Sequence, residues 1–180
     1  MKDIFRRAFR ATLFDRKPFV EALWDSTATA DAALLVIIVS AFVAGVTAIR
    51  IGFGITSLIS GMLSSVITTL AAWLFLAIAT WFVGSRLFAP PEDPVRRFEA
   101  MQVMLRMHGL AFLPVALTPI GGLVSVIGGL WYLAAAALGT SIALDSKTWE
   151  GGVAVLLGAA VMALINAVIG APFAILGGLF

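Results

Sequence analysis

Between Arg106 and Asp145 no side chain carries a fixed charge. A membrane-spanning helix needs about 17 to 25 apolar residues, so a run of this length reads as two spans folded back on each other. Thr118-Pro119-Ile120-Gly121-Gly122 is the expected hinge, a proline that cannot continue a helix followed by two glycines that permit a turn. Composition extends the argument to the whole chain: 61% of residues are hydrophobic and 12% charged, against about a quarter charged in a soluble domain. Mean hydropathy is +1.06. The expected fold class is all-α, a polytopic membrane protein of five transmembrane helices with an N-terminal cytoplasmic amphipathic helix.

The chain divides into an interfacial segment, 1–31, and a membrane domain, 32–180. In the first segment Ile4, Phe5, Ala8, Phe9 and Leu13 recur at helical spacing, with Lys2, Arg6, Arg7 and Arg10 on the other side. This pattern predicts a helix lying in the headgroup layer, phenylalanines down, or else packed on the membrane domain. Asp15-Arg16-Lys17-Pro18 breaks it, and Phe19 to Trp24 restarts a short helix. The first 31 residues hold eleven charged side chains and no apolar core of signal-peptide length, so no cleaved leader is expected. Ser26 to Asp31 offers capping oxygens before the first span.

Spans are expected at about 32–49, 58–83, 100–118, 123–144 and 151–169, the third following an amphipathic run and kinked at Pro114. Gly170-Ala171-Pro172 should end or bend the fifth. Small residues recur every fourth position in three places: Ser57, Gly61, Ser65 and Thr69; Gly121, Ser125 and Gly129; and Ala159, Ala163, Ala167 and Ala171. Such stripes let membrane helices approach closely, either within one bundle or toward a partner.

Five crossings put eleven of the twelve Lys and Arg residues on the N-terminal side and Arg50 alone on the other. The positive-inside bias places the N-terminus in the cytoplasm and the C-terminus on the opposite side. The net charge of +2 is therefore a topology signal, and nucleic acid is not an expected partner.

Chemistry is sparse. The absence of cysteine excludes disulfides, thiolate metal sites and a cysteine nucleophile, and one histidine excludes a zinc site built on two from one chain. No phosphate-binding glycine loop or metalloprotease helix is present, so neither an enzyme nor a cofactor is expected. His108 has the chemistry to ligate a haem or relay protons, but the plainer reading is an interfacial histidine snorkelling beside Arg106. Asn166 reads as a buried polar residue making one interhelical hydrogen bond. Asp145 and Glu150 read as a solvated loop or a helix cap before they read as paired carboxylates.

Two stretches resemble a known family. Phe14-Asp15-Arg16-Lys17-Pro18-Phe19, continuing through Trp24 to Ala32, and Leu105-Arg106-Met107-His108-Gly109-Leu110-Ala111-Phe112-Leu113-Pro114 resemble bacterial members of the Yip1 domain family of five-span membrane proteins. The resemblance continues through Trp131 and Ala143-Leu144-Asp145. It singles out Arg106, Gly109, Pro114, Trp131 and Asp145 as motif positions, and it implies a multi-pass protein of the bacterial inner membrane. The Asp-Leu-Tyr-Gly-Pro signature of eukaryotic members is absent, so their binding of prenylated GTPases is not carried over. The resulting expectation is a noncatalytic interaction, scaffold or membrane-organising protein whose partners are membrane lipids and a membrane protein or a second copy. The alternative is a small transporter, channel or lipid-handling protein.

Overall fold

Hydrocarbon offers no hydrogen-bond partners, so a chain this apolar must satisfy its backbone within each segment, and it does so as helices. The computed structural model describes residues 2–52, 54–88 and 94–177, and side chains among these except at 2, 55–57, 94–98, 166 and 168–177. Seven α-helices follow in order: α1 (Lys2–Thr12), α2 (Arg16–Trp24), α3 (Ala28–Arg50), α4 (Ile55–Leu87), α5 (Pro94–Leu110), α6 (Gly122–Ala143) and α7 (Thr148–Gly177), with a 3₁₀ segment, Leu113–Ile120, between α5 and α6. No strand occurs among the described residues.

Among the described residues four helical stretches are long and apolar enough to cross a membrane: Ala28–Arg50, Leu58–Leu87, Gly122–Ala143 and Thr148–Ile165. A fifth crossing is counted if Glu99–Leu110 and Leu113–Ile120, bent by 43°, act as one. The break has a local cause. Pro114 and Pro119 lack the amide that an i→i−4 ladder needs, so the chain tightens to i→i+3 bonds from Val115 to Phe112 and from Gly121 to Thr118. The expected single kink at Pro114 is thus a change of helix type that starts one residue earlier, at Leu113. Gly121, with φ 79°, takes the left-handed conformation that turns the chain into α6. Pro172 does not end α7, which continues to Gly177.

Successive long helices alternate in direction. We call the end that carries α1 and α2 the near end and the opposite one the far end. The core is concentrated toward the near end. Leu35, Val36, Met104, Ala135 and Val155 are fully buried in one cluster. Phe19, Ala22, Met107 and Leu110 form a second, in which α2 is driven into the bundle like a wedge. At the far end the Arg50 guanidinium donates to the Pro119 carbonyl and closes the last turn of the 3₁₀ segment.

The closest helix approaches fall on glycines outside the three stripes. A Cβ on Gly109 would sit 2.3 Å from the Ala32 Cβ and 2.9 Å from its Cα, joining α5 to α3. One on Gly151 would lie 2.3 Å from the Ala137 carbonyl, joining α7 to α6, and one on Gly158 would lie 2.8 Å from the Thr80 amide nitrogen, joining α7 to α4. At Gly61 and Gly129, by contrast, nothing stands within 4 Å, and Ala163 and Ala167 are exposed. Of the stripe residues, Gly61, Ala163 and Ala167 therefore face away from the bundle, while Ser65, Thr69, Ser125, Gly129 and Ala159 are half-buried. Gly109→Ala should lower stability by about 1 to 3 kcal/mol through backbone overpacking, whereas Gly61→Ala should be neutral or gain up to about 1 kcal/mol of helix propensity. Denaturant titration of the two variants in the same detergent checks the contrast.

Candidate functional site

The wedge made by α2 creates the polar feature of the near end. Proline in its first turn and Asp15 as N-cap, accepting from the Lys17 amide at 2.9 Å, start α2. Phe19 then packs where a side chain on Gly139 would stand, 2.9 Å from the ring, which fixes the depth of the helix. The last carbonyls of α2 have no intrahelical partner, and a side chain supplies one. Arg106, on α5, donates from Nη1 to the carbonyls of Ala22 and Leu23 at 3.1 Å each and from Nε to Thr29 Oγ1 at 2.9 Å. One guanidinium thereby ties α2 and the start of α3 to α5.

Arg106 is 7% exposed, and among the described residues no carboxylate lies within ion-pair distance of it. It lines a cavity of about 610 Å³ at the near-end boundary of the bundle. Leu23, Trp24 and Ser26 come from the end of α2 and the turn after it, Glu99, Gln102 and Val103 from α5, and Ile142 and Asp145 from the end of α6. Asp145 has φ 48°, a left-handed conformation that Asp tolerates better than most residues, and this turns the chain from α6 toward α7 at the cavity rim. Glu150 does not join it there. Its carboxylate accepts from the Lys147 amide at 2.9 Å and caps α7.

A clasp of ion pairs holds α1 against this region. Arg7 Nη1 meets Asp25 Oδ2 at 2.8 Å and Arg10 meets Asp15, while Ala8, Ala11 and Thr12 are buried and Phe9, Leu13 and Phe14 are exposed. Hydrogen bonds from Thr27, then the Arg7 contact, hold the Asp25 carboxyl down to about 2. Asp25, rather than an oxygen of the STATAD run, thus secures the start of α3.

Of the other residues singled out in the sequence, Gly109 is the contact point with Ala32, and Pro114 lies in the first turn of the 3₁₀ segment with its carbonyl against Gly128. Trp131 donates from Nε1 to the Thr12 carbonyl at 2.6 Å, satisfying the last turn of α1. His108 corrects the sequence reading. It is fully buried with Nδ1 2.9 Å from the Tyr132 hydroxyl, and its Nε2 has no hydrogen-bond partner. Two residues along a helix are turned by about 200°, so with Arg106 facing the cavity, His108 must face the interior instead of snorkelling beside it. Asn166 lies in α7 with its side chain outside the described residues. Among the described residues no cluster of His, Asp or Glu could hold a metal ion.

The structure thus brings together Arg106 and Asp145, forty residues apart, and separates both from His108, Pro114 and Trp131. Sequence reasoning missed Glu99, Gln102 and Tyr132 as site or core partners. Glu99 was legible as a polar residue on a wet helix face, but only packing shows which space it borders. No family model matches this sequence, and neither a curated protein nor a solved structure matches it.

Two outcomes follow from these contacts. Tyr132→Phe should leave both His108 nitrogens without partners and destabilise the bundle by about 1 to 3 kcal/mol, measurable by denaturant titration in detergent. Because folding lowers the Asp25 carboxyl from its ordinary 3.8 to about 2, its contribution is complete above 3.8 and is lost as pH falls through 2. Amide exchange across α1, corrected for its intrinsic pH dependence, should lose protection between pH 4 and 2, and Asp25→Asn should show that loss already at neutral pH.

Proposed function

We propose that this chain is a noncatalytic, five-span membrane protein that acts by associating laterally with another membrane protein or with a second copy of itself. The observation that carries the reading is the division of its small residues into two sets. Gly109, Gly151 and Gly158 are consumed in contacts within the bundle, whereas in the far half Gly61, Ala163 and Ala167 are left exposed and half-buried Gly129 has open space where a side chain would stand. Alongside Gly61 and Ser65, a groove of about 230 Å³ opens between α3 and α4, lined also by Ala44, Thr47 and Ala48. In lipid, helix association draws on close packing more than on apolar burial, so small-residue faces are where a further helix would gain most.

The distribution of basic residues supports a cytoplasmic near end and a bacterial inner-membrane setting, with α1 at the membrane surface and Phe9, Leu13 and Phe14 turned toward lipid. The motif around Arg106, Gly109 and Pro114 supports a Yip1-like role in organising membrane proteins.

The chain has no cysteine, so single-cysteine variants report contacts without background. Gly61→Cys and Ala163→Cys should each give an oxidant-dependent crosslinked species in native membranes, while a cysteine at exposed Leu74, off the stripes, should not. Absence of any crosslink at the stripe positions, together with a monomer after mild extraction, would overturn the proposal.

A further inference from the structure

The cavity at Arg106 has features that helix packing does not require. Its guanidinium is more than nine-tenths buried, is held by three hydrogen bonds from Nε and Nη1, and has no hydrogen-bond partner at Nη2 among the described residues. The three acceptors are neutral, so the charge is fixed in place with no ion-pair partner in contact among the described residues. A buried cation with no anion in direct contact is costly, and a charge-assisted contact from a phosphate would relieve that cost. The same cavity carries two carboxylates, Glu99 on α5 and Asp145 after α6, both exposed and neither in an ion pair among the described residues. A simple anion would gain from Arg106 and be repelled by both.

From this charge pattern we infer that the cavity binds the headgroup of a zwitterionic phospholipid bearing a primary amine, of the phosphoethanolamine type. The phosphate is held by Arg106, and the ammonium is held by Glu99 and Asp145. The position is suited to such a ligand. Ile142 and Ala143 are among the last residues of a span, so the cavity lies at the depth where headgroups meet hydrocarbon. Leu23, Val103 and Ile142 supply an apolar wall, and Trp24, 86% exposed, stands beside it as an amphipathic ring at the interface. A volume of about 610 Å³ is within the range of small-ligand sites, about 300 to 1,000 Å³. The inference goes beyond lateral association and does not depend on it.

The full chain in detergent can be titrated with three probes: short-chain phosphatidylethanolamine, short-chain phosphatidylglycerol, and soluble phosphoethanolamine, with bound species counted by native mass spectrometry. The amine lipid should bind more tightly than the glycerol lipid by about tenfold or more, the scale of one charge-assisted contact, and soluble phosphoethanolamine should not register. The double variant Glu99→Gln, Asp145→Asn leaves every contact of Arg106 in place and should abolish or reverse the preference. Ala100→Trp, which fills the cavity from its half-buried α5 wall, should remove binding of both lipids. An unchanged preference in the double variant would overturn the inference, as would wild-type binding in Ala100→Trp. Equal binding of soluble phosphoethanolamine would overturn the membrane source in favour of a soluble metabolite.

Discussion

Helices in hydrocarbon gain little from hiding apolar surface, because the solvent they leave is as apolar as the neighbour they meet. What holds this bundle is therefore backbone proximity at a few residues without side chains. Gly109 against Ala32, Gly151 against Ala137 and Gly158 against Thr80 set the spacing of α3, α4, α5, α6 and α7. Dispersion at such contacts is individually small and falls off steeply with separation, so each glycine acts through the many neighbouring atoms it lets into contact. The contacts are weighted toward the near half. There the core clusters lie, and there α1 and α2 add a layer that the far half lacks.

Arg106 is the second joint, and it differs in kind. It replaces missing intrahelical bonds at the end of α2 and reaches Thr29 near the start of α3, so it fixes how α2 and the start of α3 sit against α5. A lysine would bring the charge without the planar fork that serves two carbonyls and a hydroxyl together. Because this geometry occupies Nε and Nη1 but leaves Nη2, the structural role leaves one edge of the guanidinium toward the cavity. A polar residue can in this way join elements and still present charge to a ligand.

Much of the architecture was legible in the sequence. The uncharged runs gave the helices and their approximate limits, and the prolines at 114 and 119 marked the stretch between α5 and α6 as irregular. Small residues were legible as a class but not by destination. Spacing of four positions selects residues on one face of a helix, and it is silent on whether that face meets a neighbour or lipid. The glycines that make contacts here, 109, 151 and 158, sit in no regular stripe, since each answers to a crossing point set by the partner helix. His108 failed for a related reason: depth along the chain suggested the interface, but rotation about the helix axis decided its surroundings.

The sequence by itself determined the apolar character of the long segments, their helical state, and the confinement of fixed charges to the ends of the apolar runs, because backbone hydrogen bonding and charge desolvation act residue by residue and do not depend on partners. Only the tertiary structure decided which glycines touch, that Tyr132 meets His108, and that Trp24, Glu99, Arg106 and Asp145 border one space. Those relations depend on how helices distant in sequence rotate and cross, and such angles are fixed by the packing of whole surfaces against each other.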